Sequence, residues 1–142
     1  MGAASAAASV LSKAIVAIAD AASDREAIKF VTYTRTNAAS GQVYSGRASG
    51  TGSPEEIVAN RARTHPPRLA SFGAPVVDRW AIGLAGYDAI RGREQQLIDA
   101  NGRAQSDNGT SANKIRGVGR FNPLAGMFDI ASTAAFGPIS RP

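Results

Sequence analysis

Two tyrosines are the first residues in this chain whose setting suggests chemistry. Tyr33 lies in the run from Lys29 to Arg35 (KFVTYTR), and Tyr44 stands eleven residues on, within Gln42 to Ser45 (QVYS). Both runs favour strands, because β-branched and aromatic side chains suit a pleated surface. Further along, Arg61 and His65 are spaced i, i+4, which puts them on one face of a helix. Glu94 follows in a helix-forming stretch, and Asn113 in a Gly, Ser and Asn-rich loop. A guanidinium grips phosphate oxygens through its fork of N–H donors. A lone carboxylate can hold one hard divalent ion, Mg²⁺ or Mn²⁺, that keeps most of its own waters. Phenol and imidazole groups can orient water or carry protons.

Positioning these groups takes one domain's worth of chain. The sequence has 142 residues, 44% apolar and 19% charged, which excludes collagen-like, coiled-coil and fully disordered states. It contains no cysteine and one histidine, so disulfides, thiolate nucleophiles, cysteine-ligated metals and His-rich metal centres are excluded. The net charge is +5, and thirteen of the sixteen basic residues are arginine, which leans towards a polyanionic partner. No apolar run approaches the ~20 residues that cross a bilayer, so no membrane span is expected. Residues 1–24 differ from the rest. They sum to −1, against +6 for residues 25–142. Val10, Leu11, Ala14, Ile15 and Ile18 recur at helical spacing, which predicts an Ala-rich N-terminal helix or linker. Lys13 and Asp20 interrupt this stretch and no basic segment precedes it, so it is not read as a signal peptide.

Within residues 25–142 the two runs form a hairpin across the turn Asn37–Gly41, the second strand ending at Gly46. Ser53-Pro54-Glu55-Glu56 is a capping box that opens a helix, and Pro66-Pro67 closes it by His65. Val76 and Val77 mark a third strand. A second helix is expected from about Asp88 to Ala100, with Ile90, Leu97 and Ile98 as its apolar side and Gly102 as its stop. Residues 101–113 read as loop, and the tail from Asn122 has no clear pattern.

In this order, Tyr33, Tyr44-Ser45-Gly46, Arg61, His65, Glu94 and an asparagine resemble the GIY-YIG nuclease family. Val31-Thr32 stand where the family has Gly-Ile, and Ser45 replaces its central Ile. The resemblance covers residues 30 to about 122. It implies an α/β (α+β) fold: a small central three-stranded, mainly antiparallel sheet flanked by helices, here with an extra N-terminal helix. It implies a metal-dependent endonuclease that hydrolyses DNA phosphodiesters with Mg²⁺ or Mn²⁺ on Glu94 and Arg61 on the scissile phosphate. Tyr33 would be the general base, its phenol made more acidic by nearby cations, with Tyr44 and His65 positioning water and phosphate. The family asparagine falls at Asn113 or Asn122, with Asn113 preferred. Arg47, Arg61, Arg63, Arg91, Arg93 and Arg116 are candidate nucleic-acid contacts, and Arg120 extends that track.

The short form, without a recognition module, resembles the nuclease domains at the tips of bacterial polymorphic toxins. That implies a piece of a larger delivery protein, a secreted or injected effector acting in the target-cell cytoplasm, and a cognate acidic immunity protein. Each residue also has an ordinary reading. Arg61 and Arg63 could be a solvated helix face, His65 a partner of the helix dipole, and Glu94 one side of a surface ion pair with Arg91 or Arg93. Asn113 and Asn122 could simply shape turns. Two other function classes compete: an inert basic nucleic-acid-binding module, and a structural protein of a phage or injection apparatus. The arginine-dominated charge carries its own expectation. Affinity for duplex DNA should fall steeply with salt and vary little with sequence, because phosphate-bound arginines release counterions. A flat dependence in a salt titration would exclude backbone contacts as the main source of affinity.

Overall fold

The structure, a computed structural model, describes residues 27–139; the expected helix over residues 2–23 lies outside them. The β-branched run forms β1 (Lys29–Thr36), and the hairpin turn leads into β2 (Val43–Gly50). Asn37 builds that turn by accepting the N–H groups of Ala39 and Ser40 on its side-chain oxygen. Helix α1 (Pro54–Ala62) starts where the capping box predicts, with the Ser53 hydroxyl accepting the Glu56 N–H at 3.1 Å. A single 3₁₀ turn (Pro67–Leu69) follows the proline pair, then β3 (Val76–Ala81), α2 (Gly83–Ala100), a second 3₁₀ turn (Gln105–Asp107) and α3 (Ala125–Phe136). The fold is α+β: among the described residues the strands form one open antiparallel sheet in the order β2-β1-β3, with three helices. Among the described residues no helix is long and apolar enough to cross a membrane.

Side chains alternate across this sheet, so each face has its own partner. Val31 and Tyr33 pack with Ile57 and Val58 of α1, and the edges of that cluster are covered by Tyr44, Ala48, Val77 and Trp80. The intervening residues Phe30 and Thr32 meet α2: Phe30 lies edge-on against Tyr87, ring centroids 5.4 Å apart. Helices α2 and α3 then pack against each other where Gly92 offers no side chain. A Cβ there would overlap the backbone carbonyl of Phe128.

Several boundaries differ from the sequence expectation. Strand β2 does not stop at Gly46 but pairs through to Gly50, opposite Lys29. Glycine disfavours a strand only when nothing uses the space it leaves, and here Tyr33 fills it. Helix α2 begins at Gly83 rather than near Asp88, and α3 falls in the tail where no pattern was legible.

Arg93 also departs from expectation. Its side chain is 5% exposed and forks onto Asp78, with Nε to Oδ2 at 2.8 Å and Nη2 to Oδ1 at 3.0 Å. Asp78 sits at the bulge where β3 shifts register against β1, and it also accepts the Thr32 hydroxyl at 2.8 Å. Arg93 therefore ties α2 to the sheet and is not a nucleic-acid contact. Removing one member of a buried pair strands the other charge. Arg93→Ala should lower unfolding free energy by about 3–5 kcal/mol. Denaturant unfolding checks this, and a loss below about 1 kcal/mol would make the pair peripheral.

Candidate functional site

The hairpin register places the tyrosines. Tyr33 pairs with Gly46, so Tyr44, two residues from Gly46, projects from the same face as Tyr33. Their ring centroids lie 6.3 Å apart. A Cβ on Gly46 would come within 2.6 Å of the Tyr33 ring, so the glycine makes room for the phenol to lie across β2. His65, just past the end of α1, completes the group. Its Nε2 is 2.8 Å from the Tyr33 hydroxyl, and its ring meets Tyr44 edge-on with centroids 5.3 Å apart.

The protonation of His65 follows from its other neighbour. Arg35 Nη1 lies 2.8 Å from His65 Nδ1. A guanidinium can only donate, so Nδ1 is the bare, accepting nitrogen and the neutral ring carries its proton on Nε2. Nε2–H then donates to the Tyr33 oxygen. His65 in this tautomer cannot take the Tyr33 proton. Arg35 is itself fixed, donating to the carbonyls of Gly73 at 2.8 Å and Phe72 at 3.0 Å. Burial, followed by the positive charges of Arg35, Arg61 and Arg68, holds the His65 pKa below its usual 6.5.

Tyr33 corrects an expectation. Its side chain is fully buried, and burial, reinforced by Tyr44 and only partly opposed by Arg61, pushes its phenol well above the usual range. The lowering effect of the nearby Arg61 cation is outweighed by burial. Tyr33 lies beneath the surface, and Tyr44 is the half-buried phenol beside it.

Tyr44 opens onto a cleft of about 510 Å³ along the β2 edge, shared with Arg47, Arg61, Arg68, Glu94 and Asn113. Lys114 and Arg116 line its far wall, so five basic side chains surround one carboxylate. Strand alternation sends Tyr44 and Arg47 to opposite faces. Because β2 is the outer strand, both reach the same cleft over its edge. Glu94, on α2, is mostly buried, and burial raises its pKa against the lowering effect of Arg47, whose Nε lies 3.3 Å from Glu94 Oε1. Gly117 lets the loop after Asn113 close over that carboxylate, since a Cβ there would strike it.

Asn113 seals the β2 edge. Its Oδ1 accepts the Ser45 N–H at 2.9 Å, its Nδ2 donates to the Ser45 carbonyl at 2.7 Å, and Ala112 N–H reaches the Val43 carbonyl at 2.9 Å. The side-chain amide stands in for a neighbouring strand. Asn122 instead accepts the Leu124 N–H at the approach to α3 and lines no part of the cleft.

The arginines divide. Arg47, Arg61 and Arg116 line the cleft as expected, though Arg116 and Arg120 both grip Asp107, whose carboxyl their hydrogen bonds hold below its usual range. Arg63 is exposed at the C-terminal cap of α1, bonded to Asn60, and stands outside the cleft. Arg91 is held between aromatic rings, 4.9 Å from the Phe128 centroid and 5.9 Å from that of Tyr87. Neither Arg63 nor Arg91 belongs to the basic wall. Sequence reasoning missed Arg35, Arg68 and Lys114. Arg68 donates to the Ala112 carbonyl at 2.9 Å and lies over the Tyr44 ring. No local pattern signals a residue after two prolines.

Among the described residues no three His, Asp or Glu side chains cluster as a metal cage. The donor set still fits a hard divalent ion, because such ions accept one carboxylate and fill their shell with water, and the cleft is open enough for those waters. The Arg47 side chain that meets this carboxylate is about one-third exposed. Comparison with known proteins finds no relative: no family model, no curated protein and no solved structure matches this chain.

His65 is the sole histidine, so its imidazole is a clean spectroscopic reporter. A lowered pKa means that stability contributed by neutral His65 is complete above 6.5 and is lost as pH falls towards the folded value. Nitrogen NMR should show the Nε2–H tautomer at pH 8 and a midpoint below 6.5. Arg35→Met should raise that midpoint and mix the tautomers. Unchanged spectra in the variant would remove Arg35 from the arrangement.

Proposed function

We propose that this chain is a divalent-metal-dependent endonuclease of GIY-YIG type, hydrolysing DNA phosphodiesters. The observation that supports the reading most is the cleft itself: five cations around one mostly buried carboxylate, beside a tyrosine pair braced by a histidine of defined tautomer. Polyphosphate backbones match such a surface, and a single carboxylate amid arginines has little use in binding DNA alone.

Hydrolysis adds one water across a P–O bond, leaving a phosphate monoester and an alcohol. Glu94 would hold Mg²⁺ or Mn²⁺, which when bound would act as a Lewis acid on the phosphate. Arg61 would fork onto the scissile phosphate and stabilise charge that grows as the bond breaks. Tyr44, the phenol at the cleft surface, would orient the attacking water. Tyr33 and His65 hold Tyr44 and the end of α1 in register, a supporting role in place of the general-base role implied by the sequence resemblance. Arg68 over the Tyr44 ring and Arg47 at the mouth complete the phosphate path.

The same reading extends to a toxin domain of an interbacterial effector, carried by a larger delivery protein into a target-cell cytoplasm. Its complementary partner would be an acidic immunity protein that covers the cleft and associates rapidly through opposite charge. One observation favours the second reading, a basic nucleic-acid-binding module without catalysis: Arg47 already occupies Glu94.

Plasmid nicking separates the two. Supercoiled DNA should be nicked with Mg²⁺ and left intact with EDTA. Glu94→Gln keeps the side-chain shape but removes the charge that attracts a hard ion, so nicking should fall about a hundredfold or more at an unchanged melting temperature. Equal cleavage by this variant would take Glu94 out of the reaction, and tight binding with no nicking at all would favour the inert module.

A further inference from the structure

A second hollow, of about 480 Å³, adjoins the basic cleft and shares two of its walls, Arg47 and Arg61. Its floor differs in kind. Phe30 of β1 and Tyr87 of α2 meet edge-on there, with the buried side chains of Ile57 and Ile90 alongside. Asn60 stands on its rim, exposed on α1. Its Oδ1 accepts from Arg63 at 3.0 Å, which leaves the Nδ2 hydrogens to serve as donors. The hollow falls in the size range of sites that hold small organic ligands.

We infer that this hollow is a subsite for the base of the nucleotide adjoining the phosphate held in the basic cleft. Two features select that occupant. The hollow offers an apolar, aromatic floor to a flat ring, and among the described residues its charged walls are the guanidinium groups of Arg47 and Arg61, which call for an anion attached to that ring. A nucleotide combines both at a fixed short separation. A purely apolar ligand would leave Arg61, which meets no carboxylate among the described contacts, without a counter-charge, and a bare phosphate would leave the aromatic floor uncovered. Asn60 adds a donor suited to a base carbonyl or ring nitrogen. Because stacking is sequence-tolerant, the subsite would favour an unstacked base over a paired one without choosing its identity. Single-stranded or distorted DNA would then be bound better than regular duplex.

The position of the phosphate rests on the proposed nuclease reading, but the base contact can be tested without turnover. The probes are the dinucleotide d(TpT) and two versions of it, each with one thymine replaced by an abasic sugar, added in EDTA. Binding is followed through the ring-proton NMR signals of Phe30 and Tyr87. One abasic version should bind about tenfold more weakly than d(TpT) and leave both ring signals unmoved. Asn60→Trp, at an exposed rim position that does not touch the core, should fill the hollow. It should reduce d(TpT) affinity to the abasic level while leaving the binding of inorganic phosphate unchanged. The inference is overturned if both abasic versions bind as tightly as d(TpT), if d(TpT) causes no shift at Phe30 or Tyr87, or if Asn60→Trp has no effect. Plasmid nicking with Mg²⁺ reports on the nuclease reading separately. Base-dependent binding without nicking leaves the subsite in place on a non-catalytic protein, and nicking without base-dependent binding removes the subsite alone.

Discussion

Tyr33 lies across Gly46, and much of the molecule depends on that crossing. The ring needs a partner residue with no Cβ, and the observed register of the hairpin supplies it at Gly46. A slip of one residue would oppose Tyr33 to Ser45 or Arg47 and would turn every β2 side chain to the other face. The register that satisfies the ring also brings Tyr44 beside Tyr33 and sets Arg47 over the strand edge facing Glu94. The same ring forms part of the apolar cluster under α1, so packing and site geometry share one cause. Hydrophobic burial holds the phenol, and the phenol in turn braces His65.

The outer position of β2 decides where chemistry can occur. In a central strand, residues 44 and 47 would face separate compartments. On an outer strand they flank one cleft, and the unpaired backbone of the strand becomes available to the loop that follows α2. Asn113 takes up that backbone at Ser45 and so anchors the loop bearing Lys114 and Arg116 against the opening. An exposed strand edge is ordinarily a liability for aggregation. Here it is covered by the amide that completes the wall of the cleft, at the expense of that amide's freedom to contact a substrate.

Arginine serves two unrelated ends within a short span of chain. Arg93 and Arg91 are drawn inward by a carboxylate and by aromatic faces, respectively, and act as structural ties. Arg47, Arg61 and Arg68 remain at the opening, and the charges of Arg61 and Arg68, with that of Arg35, add to burial in depressing the proton affinity of His65. What separates the groups is the third dimension: Asp78, half-buried at a strand bulge, holds Arg93 in a buried fork, whereas Arg47 meets Glu94 at the cleft with its own side chain about one-third exposed.

Local chemistry was legible in the residues themselves. The capping box at Ser53, the proline pair after His65, the β-branched run of β1 and the Asn37 turn each act over a few neighbours, and each forms as their physical chemistry demands. The spacing of Tyr33, Tyr44, Arg61 and His65 likewise identified residues that come together, because a hairpin and one adjacent helix preserve short-range order. Long-range packing was not legible. Helix α3 exists through its fit against Gly92, a contact no periodicity announces, and β2 continues through Gly46 because a distant ring uses the vacancy. Arg35, Arg68 and the pairing of Phe30 with Tyr87 arise from segments far apart in the chain. The burial that pushes the Tyr33 phenol above its usual range, against the expectation of a more acidic phenol, is likewise a tertiary result. Residue type and spacing determined which groups are chemically suited to a site; only the folded chain, by setting the distance and solvent access of each, decided which of them line the cleft.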